Sequence, residues 1–306
     1  LGTAAAGVTN KILKNRFLRG MAQKTTGLDE RRKLPTFKKP HGVPALKPLE
    51  IPAELRAKLP AEAVIFPGCY AEYYDPDGEK NTLGAILPAL GIVGHAPALA
   101  GGGISKIAQG DREGARGDIR ENLDKLLPAV KRGARFVFSA PSCLLSTRRE
   151  WPRISGSADA QAVADATVDA HQLLLEVFRH PEMQKQLKPL TRKVAYHEPC
   201  HSKVLGVGAT PRELVDLLNE RATVNLNSGC CGLSGSFGVR TSNFDMSMKI
   251  GMPLFNRINR ERPEVVTTSC GVCQTQIRQG VPTSEDKSGG VDVVHPLRLL
   301  YEALQA

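Results

Sequence analysis

From residue 61 onward, short apolar runs alternate with longer segments in which apolar residues recur at helical spacing. The apolar runs predict strands at 63–69, 134–140, 193–200, 222–227, 264–270 and 291–296. The helical pattern predicts helices at 78–91, 112–133, 158–180, 211–220 and 244–261. Strands that alternate with helices are typical of α/β folds whose sheets are mostly parallel.

The first sixty residues differ in pattern and carry a strong positive charge. A helix is predicted within 11–21, and five prolines between Pro35 and Pro52 then predict an extended path. This segment holds 13 Lys and Arg against 4 Asp and Glu, and so most of the chain's net charge of +10. We expect a basic arm that docks onto a partner or an anionic membrane surface, with a solvated linker as the alternative. Nucleic acid is not favoured, because few aromatic residues accompany these charges.

The cysteine content indicates metal or redox chemistry. Hydrophobic residues make up 41% of the chain, enough for a core, and no apolar run is long enough to cross a membrane. The chain starts without Met, and we expect it to be a piece of a longer protein. An odd cysteine count without an export signal argues against a disulfide framework and for a reducing compartment. The seven cysteines are Cys69, Cys143, Cys200, Cys230, Cys231, Cys270 and Cys273.

The cysteine spacing indicates an internal duplication. From Cys200 the steps to the next four cysteines are 30, 1, 39 and 3 residues. Steps of 32, 1, 38 and 3 from Cys69 lead to Gly101, Gly102, Ala140 and Cys143. The flanking residues agree, since FPGC matches HEPC and FVFSAPSC matches VVTTSCGVC. We therefore predict a basic arm at 1–60, a first unit at 61–157 and a second unit at 158–306.

In the second unit, each group of cysteines follows a predicted strand. The carboxyl ends of parallel strands meet at one crevice, so five thiols from three loops are expected to converge there. Thiolates are soft ligands for iron–sulfur clusters or zinc. Cys270 and Cys273 also open a predicted helix, whose N–H groups favour negative charge. The predicted ligands are Cys200, Cys230, Cys231, Cys270 and Cys273.

The adjacent pair Cys230–Cys231 favours a cluster over a single ion. Successive residues point apart, and a centre with several irons can bind both, whereas zinc takes four ligands and uses paired knuckles. Gly232 and Gly235 are expected to bring the backbone close to the cluster. His197 and His201 flank Cys200. Either is a candidate hydrogen-bond donor to cluster sulfur or a structural histidine, and we take His201 as the cofactor-binding one.

The motifs HEPCH, GCCGLSGSFG and SCGVCQTQI resemble the cysteine-rich CCG domain family. That family includes the iron–sulfur subunits of anaerobic glycerol-3-phosphate dehydrogenase and glycolate oxidase, and the B subunit of heterodisulfide reductase. The resemblance covers residues 61–306 and is greatest to the glycerol-3-phosphate dehydrogenase branch. It implies two tandem, pseudo-repeated α/β units and a [4Fe–4S]-type cluster, cubane or non-cubane, on the second unit. The first unit keeps only Cys69 and Cys143, so no cluster is expected there.

The resemblance also implies a function and partners. We expect an electron-transfer subunit, not itself catalytic, in a flavin-linked or respiratory oxidoreductase complex. It would relay electrons between a flavoprotein dehydrogenase or another iron–sulfur subunit and a quinone or membrane subunit. The expected location is cytoplasmic, at the inner face of the cytoplasmic membrane. Two alternatives stay open: a heterodisulfide-type thiol reductase with a catalytic cluster, and a structural assembly subunit.

Overall fold

The computed structural model describes residues 6–284, 286 and 290–305. These residues form two four-stranded sheets, and all strands in both are parallel. The first sheet contains β1 (Glu62–Phe66), β2 (Val93–His95), β3 (Arg135–Phe138) and β4 (Thr167–Asp169), in the order β2-β1-β3-β4. The second contains β5 (Val194–Tyr196), β6 (Val224–Asn225), β7 (Val265–Thr267) and β8 (Asp292–Val294), in the order β6-β5-β7-β8. The predicted α/β class with two similar parallel units is confirmed.

Helices precede, connect and cover the strands. In the arm and first unit they are α1 (Ala6–Lys14), α2 (Arg16–Thr26), α3 (Ala53–Arg56), α4 (Gly68–Tyr73), α5 (Asn81–Ala89), α6 (Ile104–Ala108), α7 (Arg112–Lys131), α8 (Pro141–Leu145), α9 (Trp151–Ser155), α10 (Ala158–Asp165), α11 (Ala170–Phe178) and α12 (Pro181–Gln184). In the second unit they are α13 (Cys200–Leu205), α14 (Thr210–Leu218), α15 (Phe244–Glu261), α16 (Gly271–Gly280) and α17 (Pro296–Leu304). Short π-helical turns span Pro76–Lys80 and Ser146–Glu150, and a 3-10 turn spans Thr241–Asn243. Within the described ranges, no helix has the length and apolarity needed to cross a membrane.

A shared hydrophobic core joins the two units. Ile65 and Val137 of the first sheet belong to the same buried cluster as Val194 and Val265 of the second. Helices α5, α11, α14 and α17 supply most of the residues between them. Because helices cover both faces of each sheet, the central strands are continuous apolar runs, which is typical of parallel sheets.

The single helix predicted over 158–180 is wrong. The structure has α10, then β4, then α11, because Thr167 and Val168 pair with β3 and the side chain of Asp169 caps α11. Asp169 Oδ1 accepts the N–H groups of His171 at 2.8 Å and Gln172 at 3.2 Å. The first sheet therefore continues past the boundary predicted at residue 157.

The arm is more helical and more deeply packed than expected. Two helices, α1 and α2, replace the one predicted within 11–21, and Asn15 separates them by accepting the N–H of Leu18 at 3.1 Å. The extended path follows as predicted. However, Asp29 and Arg32 are buried, and Leu46 and Leu49 pack against the shared core, so the solvated-linker alternative does not hold for this stretch.

A buried polar contact links the units at Glu79. Its carboxyl group accepts a hydrogen bond from Ser139 Oγ at 2.5 Å and lies 4.0 Å from Nε2 of His295, the residue that caps α17. Burial raises the pKa of Glu79 to about 8, although the bond from Ser139 acts in the opposite direction. The folded protein therefore holds this proton more tightly than the unfolded chain does.

We predict that Glu79 makes the protein less stable as pH rises. Its contribution is fully present below the unfolded pKa near 4.5 and is lost as pH rises through the folded pKa near 8. E79Q should remove this loss, so its stability relative to the parent should grow by up to about 1.4 kcal/mol per pH unit between pH 5 and 8. Urea unfolding of the metal-free protein measures this. E220Q, at an exposed position, is the control, and equal pH profiles for E79Q and the parent would contradict the assignment.

Candidate metal centre

The five predicted ligands follow three neighbouring strands of the second sheet. Cys200 begins α13 after β5, Cys230 and Cys231 lie in the loop after β6, and Cys270 caps α16 after β7. Cys273 lies in the first turn of α16. Because β6, β5 and β7 are adjacent and parallel, the three loops leave the same edge of the sheet.

All five side chains line one cavity of about 230 Å³. Cys231, Cys270 and Cys273 are buried, whereas Cys200 and Cys230 are exposed. The predicted cofactor-binding residues His201 and Gly235 also line this cavity. The first unit contributes one wall of the cavity through Ile104, Ser105, Ala108 and Ser142. The cavity is therefore enclosed on one side and open to solvent on the other.

The five thiols act on one another as a chain of neighbours. Cys200 contacts Cys230, Cys230 contacts Cys231, Cys231 contacts Cys273, and Cys273 contacts Cys270. Thiol donation from its neighbours lowers the pKa of Cys230, and the same contact raises the pKa of Cys200. Five thiolates this close repel one another unless a cationic centre lies among them.

Backbone groups prepare several of these sulfurs to carry negative charge. The N–H of Gly232 donates to Cys230 Sγ at 3.3 Å, and the N–H of Leu233 contacts Cys231. The thiol of Cys273 is the main cause of the lowered pKa of Cys270, and the N–H groups of Cys273 and Val272 and the hydroxyl of Ser142 act in the same direction. Such bonds favour the thiolate, which is the metal-binding form of cysteine.

The donor set fits a cluster better than a single ion. A zinc site is filled by four ligands, but this cavity offers five thiols, and His197 adds a sixth donor. The ligand atoms of His197, Cys231 and Cys273 lie within 4.8 Å of one another. The side chain of His197 is buried, and its Nε2 atom has no hydrogen-bond partner among the described residues. Converging thiols and a buried imidazole nitrogen without a partner fit an iron–sulfur cluster, whose irons bind cysteine thiolates in several directions.

The two histidines beside Cys200 differ in their surroundings. His201, the one selected from the sequence, contacts Ser142 Oγ through Nδ1 at 2.9 Å and so faces the first unit. Burial lowers the pKa of His197 to about 4, which keeps its ring neutral beside the thiols. His197 is thus a second candidate donor to the cofactor, beside the His201 that the sequence analysis selected. The feature that identifies His197 is its position directly after β5, where its backbone N–H donates to the carbonyl of Thr267.

Cys230, Cys231 and Gly232 lie in one loop, here called the CCG loop. Gly232 is required because this loop approaches α15 closely. Its φ angle is +92°, and a Cβ at this position would lie 2.2 Å from the carbonyl oxygen of Ser247. Gly235 also has a positive φ, +58°, but open space surrounds its Cβ position. Of these two glycines, Gly232 alone combines the left-handed conformation with a steric limit.

A matching cavity of about 290 Å³ lies in the first unit. Cys69, Cys143, Gly101, Gly102 and Ala140 line it, as the duplication predicts. A Cβ on Gly101 would lie 3.5 Å from Cys69 Sγ, and one on Gly102 would lie 3.5 Å from Cys143 Sγ. Burial raises the pKa of both thiols. Cys270 lines both cavities, so the two sites adjoin.

Comparison with known proteins shows what the thiol-bearing part of the chain is similar to. Residues 194–278, which include all five thiols, match the CCG cysteine-rich domain. The second unit therefore contains a segment similar to that domain. The chain is 27% identical over 316 residues to the C subunit of the anaerobic glycerol-3-phosphate dehydrogenase of Escherichia coli K12, covering 99% of this chain and 74% of that protein.

Two further relatives of this chain act in other oxidoreductases. The glycolate oxidase iron–sulfur subunit of Escherichia coli K12 is 25% identical over 280 residues, which cover 83% of this chain and 65% of that protein. The D subunit of the dihydromethanophenazine:CoB–CoM heterodisulfide reductase of Methanosarcina barkeri is 24% identical over 242 residues, or 75% of this chain and 56% of that protein.

We predict that G232A disrupts the CCG loop, whereas G235A is tolerated. Both substitutions place Ala at a positive φ, which costs about 1 kcal/mol, but only the first adds a clash with the Ser247 carbonyl. G232A should lower the unfolding temperature and the bound iron per chain far more than G235A. Thermal unfolding and iron analysis measure this. Equal losses in the two variants would show that backbone strain alone matters.

Proposed function

We propose that this chain is an iron–sulfur electron-transfer subunit of a flavin-linked or respiratory oxidoreductase complex. The observation that carries the proposal is the gathering of five thiols from three loops in one cavity. Three relatives, each from a different complex, are subunits of oxidoreductases, and one is named as an iron–sulfur subunit. These relatives support an iron–sulfur cofactor and redox partner subunits for this chain.

The finer proposal is a [4Fe–4S]-type cluster on the second unit and none on the first. When bound, the cluster supplies a one-electron carrier. Cys200, Cys230, Cys231, Cys270 and Cys273 would hold it. His197 and the backbone N–H groups of the CCG loop would stabilise its negative charge, and the α6 wall of the first unit would exclude water from one side.

The open side of the cavity suits the exchange of electrons with a partner. Cys200 and Cys230 are exposed there, so another protein's redox centre can approach without a rearrangement of the fold. The proposed partners are a flavoprotein dehydrogenase or another iron–sulfur subunit on one side and a quinone-reactive membrane subunit on the other. The proposed location is the inner face of the cytoplasmic membrane.

The exposed residues of α2 in the basic arm support the proposal that the arm docks onto a membrane or a membrane subunit. On α2, Phe17 is 75% exposed and Met21 is 53% exposed, and Arg19 and Lys24 lie on the same helix. An exposed apolar strip beside basic residues is typical of helices that lie on anionic lipid surfaces.

A heterodisulfide-type reductase is the second candidate, because the exposure of Cys200 and Cys230 would also admit a disulfide substrate. Adding disulfide to the oxidised protein should then produce a new EPR signal that depends on the cluster. A relay subunit would give none. The structural-subunit alternative predicts that C231S weakens assembly but spares electron transfer.

We predict about four irons and four sulfides per chain after anaerobic purification, with an EPR signal on one-electron reduction. C231S should lose most of the iron, because it removes a central sulfur of the thiol chain. C69S is the matched control and should keep the iron, because Cys69 lies in the first-unit cavity. Iron and sulfide analysis with EPR measures this. A single zinc per chain, or iron lost equally from both variants, would contradict the proposal.

We also predict that the arm binds anionic lipid. The parent should sediment with phosphatidylglycerol vesicles but not with phosphatidylcholine vesicles, and high salt should weaken the binding. Replacing both Phe17 and Met21 with Glu should abolish sedimentation. V93E is the control, because Val93 is 57% exposed on an edge strand outside the arm. Equal sedimentation of all three proteins would exclude lipid docking through α2.

A further inference from the structure

Arg32 of the basic arm is fully buried behind the CCG loop. Its side chain passes between three elements of the second unit. Nη1 donates to Gln276 Oε1 at 2.6 Å, and Nη2 donates to Ser247 Oγ at 3.2 Å and to the carbonyl of Gly238. The guanidinium carbon also lies 4.5 Å from the ring centroid of Phe244. The arm thus places the charged side chain of Arg32 inside the protein.

Each hydrogen-bond acceptor of this guanidinium is neutral. The nearest carboxylate, Asp29, is bound by Arg31 instead, through Nε at 2.9 Å and Nη2 at 2.8 Å. Asp245 also directs its carboxylate at Arg31, at 2.9 Å. Among the described residues, Nε of Arg32 has no hydrogen-bond partner. Because arginine stays protonated in proteins, a full positive charge is buried here without a directly bound anion.

The elements that bind Arg32 are the ones that hold the thiols. Gly238 ends the loop that carries Cys230 and Cys231, and Gln276 is three residues beyond Cys273 on α16. Gln276 Nε2 also donates to the carbonyl oxygen of Ser247. This is the oxygen that a Cβ on Gly232 would clash with. Among the ionisable groups near Arg32 are Asp29, Arg31 and Cys231. Of these three, Cys231 lines the metal cavity.

An unpaired buried charge is unfavourable unless an opposite charge lies nearby. A cluster held by thiolates carries net negative charge, and it would lie in the cavity that Cys231 and Cys273 line. We propose that Arg32 is a positioning residue whose buried cation balances the negative charge of the cluster and raises its reduction potential. This inference rests on the proposed cluster on the second unit.

A charge-balancing role for Arg32 predicts different effects in the metal-free and the cluster-bound protein, whereas simple attachment of the arm predicts equal effects. In the metal-free protein the cation lacks its anion, so its removal should cost little or even stabilise the fold. In the cluster-bound protein its removal leaves the cluster's charge without compensation. The effects of a substitution at Arg32 should therefore differ between the two forms.

The test compares R32Q, R32K and R31Q in the full chain. Gln keeps hydrogen-bonding capacity without charge, and Lys keeps the charge without the planar fork. R31Q is the matched control, because Arg31 neighbours Arg32 and also lies over Phe244, at 4.1 Å, but is about half exposed. EPR-monitored redox titration should show the R32Q midpoint shifted to more negative potential by at least tenfold in the reduction equilibrium, about 59 mV for one electron. R32K and R31Q should stay close to the parent.

Thermal unfolding of the metal-free proteins is the second measurement. R32Q should unfold within a few degrees of the parent or above it, while retaining less iron than the parent during anaerobic dialysis. An unchanged R32Q midpoint would overturn the proposal. So would equal destabilisation of the metal-free and cluster-bound forms, or failure of metal-free R32Q to fold, because either result would show that Arg32 only secures the arm. If the parent itself binds no iron, the proposed function fails first.

Discussion

The repulsion among five clustered thiolates is the constraint on which the rest of this site depends. Three parallel strands end side by side and bring the sulfurs into one small cavity, where three of them are buried. Without a cation among them these groups must stay protonated or share protons, as the opposed pKa shifts of Cys200 and Cys230 indicate. Backbone N–H groups favour negative charge at this one place, and the proposed roles of His197 and Arg32 act in the same direction. These features suit the iron–sulfur cluster that we propose for this cavity.

The duplicated architecture explains why one site and its altered copy lie together. The sheets have the same strand order, and the equivalent loops end in two cavities that share Cys270. In the first unit, Gly101, Gly102 and Ala140 stand where the second has cysteines. Residues of α6 and α8 instead form a wall of the metal cavity. The first unit therefore shields one side of the cavity in the second unit from solvent.

Much of the fold and of the candidate site could be predicted because the relevant signals are local. Strand-like runs followed by cysteines, read with the rule that parallel strands end at a common edge, bring Cys200, Cys231 and Cys270 together without any structure. β4 could not be predicted in this way, since three residues between two amphipathic helices do not interrupt a helical pattern. The burial of Arg32 could not be predicted from the sequence either, because nothing in the run RRK indicates which side chain is buried. The choice between His197 and His201 depends on strand geometry that spacing does not contain.

The most direct test of the central claim is a diffraction experiment at the iron absorption edge on crystals of anaerobically prepared protein. The account predicts anomalous density for several iron atoms inside the cavity, bound by sulfurs from all three loops, with none beside Cys69 and Cys143. A single tetrahedral ion, disulfides between these cysteines, or a cavity without anomalous density would contradict it.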